Sequence, residues 1–487
     1  MQKTNVSFYI ENKQLLYIYN LAEKKALENI CSFGNRKVLI EGGAYQGVWL
    51  ETQPMGGEMY AKRNLEVGLN NQLIFMENQR EDGRLPGIIR KTESGLEPGY
   101  GHLQGYCFPY HAVNMYYLAR QKKDYLEYLY TVLEKFDEHL WKERGNNDKD
   151  FLELWCEWDT GEDNCQRLKG APHEWNKGSR PEGFDKIPFY SMDIMGYSYE
   201  GRSALAEISS ILNNGQQEYW KAKASQVRTK MKDFLWRDDK GAFFDRDCNS
   251  EFMDCLYQGN IKALYFKCMD GSMANRFIDE HLLNPQEFFT AMPLPSVAVN
   301  DECFENVSIN NWSGQAQSLT YQRSIRAMEN YGRYYEITIF AHKYLSAVQR
   351  NGFFPQQFDP FTGIAFSDGY QNRDYGPSIL TTLEFIARLY GVHINRNDVY
   401  FGCCGGADER EYIQNWSEHE YVTKYDGKNI YGFADGRQIF KVTPDVWVVT
   451  DYCGNIKRLI NVSSADNTVV LNGRQITLKK NEVIALD

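Results

Sequence analysis

The 487-residue sequence is notable first for what it lacks. It has no run of 18 or more apolar residues, so nothing in it is long enough to cross a membrane as a helix. Basic residues are outnumbered by acidic ones, 54 to 65, and they do not cluster. A chain of net charge −11 without a basic face is poorly suited to phosphate backbones, which excludes a nucleic-acid partner. The eleven cysteines are scattered, odd in number and never spaced C-x-x-C, which argues against a disulfide framework or a zinc ribbon. The opening residues lack a basic segment followed by an apolar core, so no signal peptide is read there. Reduced thiols in a cytoplasmic protein are the expectation. The eight histidines are dispersed without metal-ligand spacing, and no phosphate-binding, dinucleotide, nucleophile-elbow or H-E-x-x-H motif occurs. Neither a metal nor a cofactor is expected.

What is abundant is aromatic: 33 Tyr, 27 Phe and 10 Trp. Aromatics fill cores, and they also line clefts. Up to about residue 394 the apolar residues recur at three- and four-residue steps, as in Tyr125, Leu126, Leu129, Val132, Leu133 and Phe136. This periodicity predicts about eleven helices, starting near Lys13, Met59, Phe108, Asp124, Tyr190, Gln216, Glu251, Ser272, Gln315, Arg333 and Gly376. Short connections alternate with long ones at 81–106, 146–189, 237–250, 284–314 and 351–375, while 32–58 forms a further long one. Short links make antiparallel helix pairs, and long loops without structure of their own are usually functional. The alternation gathers the long loops at one end of a helical array. From residue 395 to 487 the texture becomes short Val/Ile/Tyr-rich alternating runs with Asp-Gly and Asn-Gly turns, which reads as a small all-β domain with a structural role.

The chemistry should lie in the long loops, where carboxylates stand beside Trp. Sugar rings stack on aromatic faces, and paired carboxylates break glycosidic bonds. The densest cluster is Leu154-Trp-Cys-Glu-Trp-Asp-Thr-Gly-Glu-Asp-Asn164, with Glu157, Asp159, Glu162 and Asp163 beside two Trp. Like charges this close should raise one another's pKa and favour a protonated acid. A solvated acidic loop or a calcium site would look the same. Other candidate loops hold Val48-Trp49-Leu50-Glu51, Asn310-Asn311-Trp312-Ser313-Gly314-Gln315 and Pro355-Gln356-Gln357-Phe358-Asp359-Pro360-Phe361-Thr362-Gly363.

In their order along the chain these segments resemble the six-hairpin (α/α)6-barrel glycoside hydrolases of the trehalase, family 63 α-glucosidase and mannosylglycerate hydrolase type. Val48-Trp49-Leu50-Glu51 matches the group's Trp-x-Trp-Asp segment, with Glu for Asp. Gln79 to Pro86 matches Gln-x-x-Asp-Gly-x-Ile-Pro. Asp159 to Cys165 matches the general-acid loop, Leu235 to Asp245 an aromatic turn, Trp312 to Gln315 the Trp-Arg-Gly-Pro loop, and Gln356 to Gly363 the Glu-x-Tyr-x-Pro-x-Thr-Gly loop. The resemblance implies a mainly α fold, an (α/α)6 barrel over residues 1–394 with the β-domain at 395–487. It implies an exo-acting, inverting hydrolase of a small glycoside or oligosaccharide, with Asp163 as general acid. Trp49, Tyr106, Trp158 and Trp312 would be sugar platforms, and Glu51, Asp159, Gln315 and Gln356 further substrate contacts.

Two residues depart from the pattern. Gln356 stands where the group has the Glu that deprotonates water, and Gln cannot do so. Asp359 or Asp368 is then expected as the base. Gln315 ends a loop that lacks the usual Arg. A non-catalytic or degenerate sugar-binding barrel is an alternative, as is a sugar epimerase or lyase using His102 or His111.

Overall fold

A computed structural model describes residues 4–120, 123–366 and 372–486. Among them are twelve α-helices: α1 Lys13–Glu28, α2 Gln53–Tyr60, α3 Leu65–Glu77, α4 Pro109–Leu118, α5 Lys123–Arg144, α6 Met192–Leu212, α7 Gln217–Leu235, α8 Gly259–Tyr265, α9 Gly271–Phe277, α10 Ser318–Glu329, α11 Tyr334–Asn351 and α12 Gly376–Tyr390. The even-numbered helices close a ring: α2 packs on α4, α4 on α6, α6 on α8, α8 on α10, α10 on α12, and α12 on α2 again. The odd-numbered α1, α3, α5, α7 and α11 pack outside it. This is an (α/α)6 barrel.

Burial follows from the sequence of each helix. α8 is buried along its whole length, and α12 is buried at every residue but Tyr390. A helix buried on all sides belongs to an inner ring. α5 instead buries one stripe, including Leu126, Leu129, Val132, Leu133, Phe136 and Leu140, and leaves a charged face to solvent. The inner helices α2, α4 and α12 each carry Pro in the first turn, at Pro54, Pro109 and Pro377, where a missing N–H costs nothing.

Two sequence expectations shift by a turn or two. The helix expected from Met59 is two helices: α2 ends at Tyr60, and Asn64 caps α3 by accepting the Val67 N–H at 3.1 Å. The helix expected from Glu251 begins only at Gly259; the preceding residues instead bridge to neighbouring loops, Phe252 to Arg246 and Tyr257 to Val297.

The β-domain is two antiparallel sheets, one of seven strands and one of five. Its Asp435-Gly436 and Asn472-Gly473 turns take positive φ at both positions, 51° and 74°, then 48° and 86°. That is the backbone a two-residue hairpin requires. The boundary expected at 394/395 does not divide sheet from helices. Strand Val392–Asn395 crosses it, and Val6–Ile10 joins the seven-stranded sheet as an edge, with Val6 opposite Gln414 and Ile10 opposite Arg410. The five-stranded sheet packs on α4, α11 and α12. No helix is long and apolar enough to cross a membrane among the described residues.

Candidate active site

At the end of the barrel where the inner helices begin lies a cavity of about 290 Å³. Its walls come from the segments just before α2, α4, α10 and α12 and from the loop before α6. Trp49, Trp158, Trp312, Tyr45 and Tyr375 supply aromatic surface, and Glu41, Glu51 and Asp163 supply three carboxylates. Arg90, on the strand Ile88–Thr92, stands exposed at the rim. All the lining residues precede α12, so none comes from the β-domain.

The loop Glu157–Asp163 explains how one carboxylate is aimed while its neighbours are tied down. Asp159 is fully buried and accepts from Arg144 at 2.8 Å and from the Leu103 and Trp155 N–H groups at 2.7 and 2.9 Å. Glu162 is equally buried, between Lys262 at 2.8 Å and Arg167 at 2.9 Å. Glu157 takes the Cys165 N–H at 3.0 Å and faces His173 at 2.5 Å. Burial alone would raise Asp159 and Glu162, but Arg144 beside the first and Lys262 beside the second hold both below the usual carboxylate range. The mutual elevation expected for this cluster therefore does not occur at these two. The loop is anchored by ion pairs to Arg144, Arg167 and Lys262.

Asp163 alone of the four enters the cavity. Gly161 makes this possible: its φ is +76°, and a Cβ there would lie 2.3 Å from the Glu51 carboxylate. The Asp163 carbonyl accepts the Trp312 N–H at 3.0 Å, and its Oδ2 accepts from Asn310 Nδ2 at 2.6 Å. Burial, then the charge of Glu51, push its carboxyl up to about 7, and the Asn310 bond only partly opposes them.

Glu51 is held by Arg323 at 2.5 Å and by Gln104 at 3.1 Å. Gln356 reaches Asn310 Oδ1 at 3.3 Å through its amide nitrogen, while its buried Oε1 has no hydrogen-bond partner among the described residues. That oxygen is available to a hydroxyl. His102 lines the cavity beside Glu174, 3.9 Å from its Nδ1, and burial pulls its pKa down to about 4. Such a ring is neutral at pH 7.

Several expected contacts lie elsewhere. Tyr106 is fully buried and stacks on Phe136 with ring centroids 4.8 Å apart, so it is core and not a sugar platform. Asp159 is an anchor, as above. Gln315 is buried and turned back onto the Val307 carbonyl of its own loop. Asp359 closes its own turn: its Oδ1 accepts from Phe361 N, Thr362 N and Thr362 Oγ1 at 2.8–3.0 Å, and its Oδ2 accepts from Asn306 at 2.8 Å. It is therefore not directed at Asp163. His111 lies away from this cavity, bonded to Glu58 and Tyr265. Asp368 falls outside the described residues. The sequence reading missed Glu41, Tyr45, Arg90, Gln104 and Tyr375 as lining residues. The one local signal for Glu41 is the pair Gly42-Gly43 after it, both at positive φ, in a long loop.

An (α/α)6 barrel with a carboxylate-bearing aromatic cavity at its loop end defines a glycoside hydrolase. The profile of the mannosylglycerate hydrolase MGH1-like glycoside hydrolase domain matches residues 52–376, and the chain belongs to that family. Among solved structures, a GH63 mannosylglycerate hydrolase from Thermus thermophilus in complex with glucose superposes with a TM-score of 0.62 at 16% identity, covering 76% of this chain and all of that one. Neutral trehalase from Saccharomyces cerevisiae gives 0.53 at 11% identity, over 75% of this chain and 79% of that one. An α-L-rhamnosidase from Dictyoglumus thermophilum gives 0.57 at 13% identity, over 98% of this chain and 49% of that one. No curated protein sequence matches.

Proposed function

We propose that the protein is an exo-acting, inverting glycoside hydrolase of a small glycoside, with Asp163 as general acid. The observation that carries this reading is a carboxyl pushed up to about 7 inside an aromatic cavity, which can donate a proton at neutral pH. The cavity volume of about 290 Å³ sits at the small end of ligand pockets, about 300–1,000 Å³, and suits one terminal sugar with a short aglycone. Trp49, Trp158 and Trp312 would face the ring, and Glu51, fixed by Arg323, would accept from its hydroxyls. Asp163 then gives its proton to the leaving oxygen as the anomeric carbon gains oxocarbenium character. The exposed Arg90 at the rim would pair with an acidic aglycone, which the family's namesake substrate also carries.

The test is the leaving-group dependence of Asp163→Asn together with the product anomer read by proton NMR. Turnover should fall at least ~10²-fold on an alkyl glycoside and far less on a glycosyl fluoride, with the first-formed sugar inverted. Equal losses on both, or retained configuration, would reject the assignment. Gln356 favours one other reading, a barrel that binds sugar without hydrolysing it. Hydrolysis of any glycosyl fluoride by the wild type excludes that reading.

A further inference from the structure

We propose that Glu41 is the general base of this enzyme, taking over from a neighbouring loop segment the task that Gln356 cannot perform. The inference rests on the hydrolase reading above. Its starting point is a process of elimination within one cavity. Of the three carboxylates that line the cavity among the described residues, Asp163 is the proposed acid and Glu51 is paired with Arg323. Glu41 is left. It is only 6% exposed, and it has no cationic partner among the described residues.

The chain path places Glu41 beside the Gln356 segment. The stretch 372–376 runs between them. On one side Gln356 N donates to the Asn372 carbonyl at 3.1 Å, and Tyr375 N donates to Phe354 O at 3.1 Å. On the other, Gly376 N donates to the Glu41 carbonyl at 2.7 Å, and Ala44 N donates to Asn372 Oδ1 at 3.1 Å. The fit is close: a Cβ on Gly376 would stand 2.1 Å from the Glu41 oxygen. Glu41 is thus two chain segments across from the glutamine, on the same wall. Its carboxyl bonds to Tyr375, another lining residue. Burial first, then the charges of Glu51 and Asp163, raise it well above the usual range. A carboxylate with a raised pKa is the stronger base once ionised. Glu41 lies outside residues 52–376, the segment the family profile matches.

In the step, water forms its bond to the anomeric carbon as Glu41 takes one of its protons. The glycosidic C–O bond breaks and its electron pair leaves on the aglycone oxygen, which receives the proton of Asp163. Glu41 ends protonated and Asp163 ionised, and exchange with solvent restores both. Gln356 is freed to orient, its unpartnered Oε1 accepting from the water or from a hydroxyl.

The experiment uses the full chain with α-D-glucosyl and α-D-mannosyl fluorides and the matching methyl glycosides. Glu41→Gln should lose at least ~10²-fold in kcat on fluoride and methyl glycoside alike, in contrast to Asp163→Asn. Glu41→Ala with sodium azide should release the glycosyl azide of inverted configuration, a product a merely structural residue would not yield. Adding Gln356→Glu to Glu41→Gln should recover at least ~10-fold. Near-normal turnover by Glu41→Gln, or a folded Glu41→Ala that forms no azide product, overturns the proposal while leaving the hydrolase reading intact. If Glu41→Ala does not fold, Glu41→Gln, which keeps the size and the Tyr375 contact, decides the matter. Wild-type protein that turns over none of these substrates removes the hydrolase reading, and the base with it.

Discussion

Two polar cavities of the barrel, among the described residues, balance charge in opposite ways. The one lined by residues of α2, α4, α10 and α12 together with Tyr265 is small, about 30 Å³. There Lys62 pairs with Glu384, and Arg388 bridges Glu384 at 2.5 Å and Glu329 at 2.8 Å. His111 lies 3.3 Å from Glu58. The strand Val392–Asn395 lies against it. The cavity at the helix starts is about tenfold larger and carries three carboxylates, only one of which has a buried arginine. Both are buried and rich in ionisable groups, so neither burial nor charge marks the reactive one. The mark is the surplus of one sign. Paired buried charges are structural; the carboxyls without a cationic partner are the ones raised.

The comparison can be broken most severely at the paired end. Glu384→Gln leaves Lys62 and Arg388 facing each other and should cost about 3–5 kcal/mol in denaturant unfolding, with kcat per folded molecule unchanged. At the other end Asp163→Asn should leave the fold and sugar binding intact and lower turnover on poor leaving groups at least ~10²-fold. Its effect on stability should depend on pH. A folded pKa near 7 lies above the ordinary 3.8, so the native state holds the proton more tightly. The stability this confers is full below about pH 4 and lost as pH rises through about 7. Asp163→Asn should therefore melt at a higher temperature than wild type at pH 8 and show less advantage at pH 4. By the same titration, wild-type kcat/KM should fall on the alkaline side of about 7. The smallest effect is expected at the rim. Arg90→Ala should raise KM a few-fold for an acid-bearing glycoside, less so at high salt, and leave a neutral one unchanged.

Legibility in the sequence followed the range of the interactions. Helices, caps and hairpin turns depend on neighbours within a few residues, and the alternation of short and long connections was enough to gather the loops at one end. Asp163 was readable because its loop carries a local motif. Its companions Asp159 and Glu162 were not, since Arg144 and Lys262, which neutralise them, come from α5 and α8. Tyr106 satisfied the rule that aromatics line sugar sites, but the direction of its ring is set by Phe136 and Tyr197 across the core. Glu41 has no aromatic or acidic neighbour in sequence to distinguish it. Its setting is made by Tyr375 and Gly376, at the far end of the barrel sequence.

The strand Val6–Ile10 pairs residue for residue with Arg410–Gln414. Ile10 and its partner Arg410 are 400 positions apart. A ribosome adding about 5–20 residues per second needs roughly 20–80 s to travel between them. During that interval a strand with an alternating apolar face waits without its ladder, and α1 waits for α12, against which it finally packs. An unpaired edge is a template for other chains. The same seam that joins the barrel to its sheet therefore sets a period of exposure during synthesis, and slower translation lengthens it.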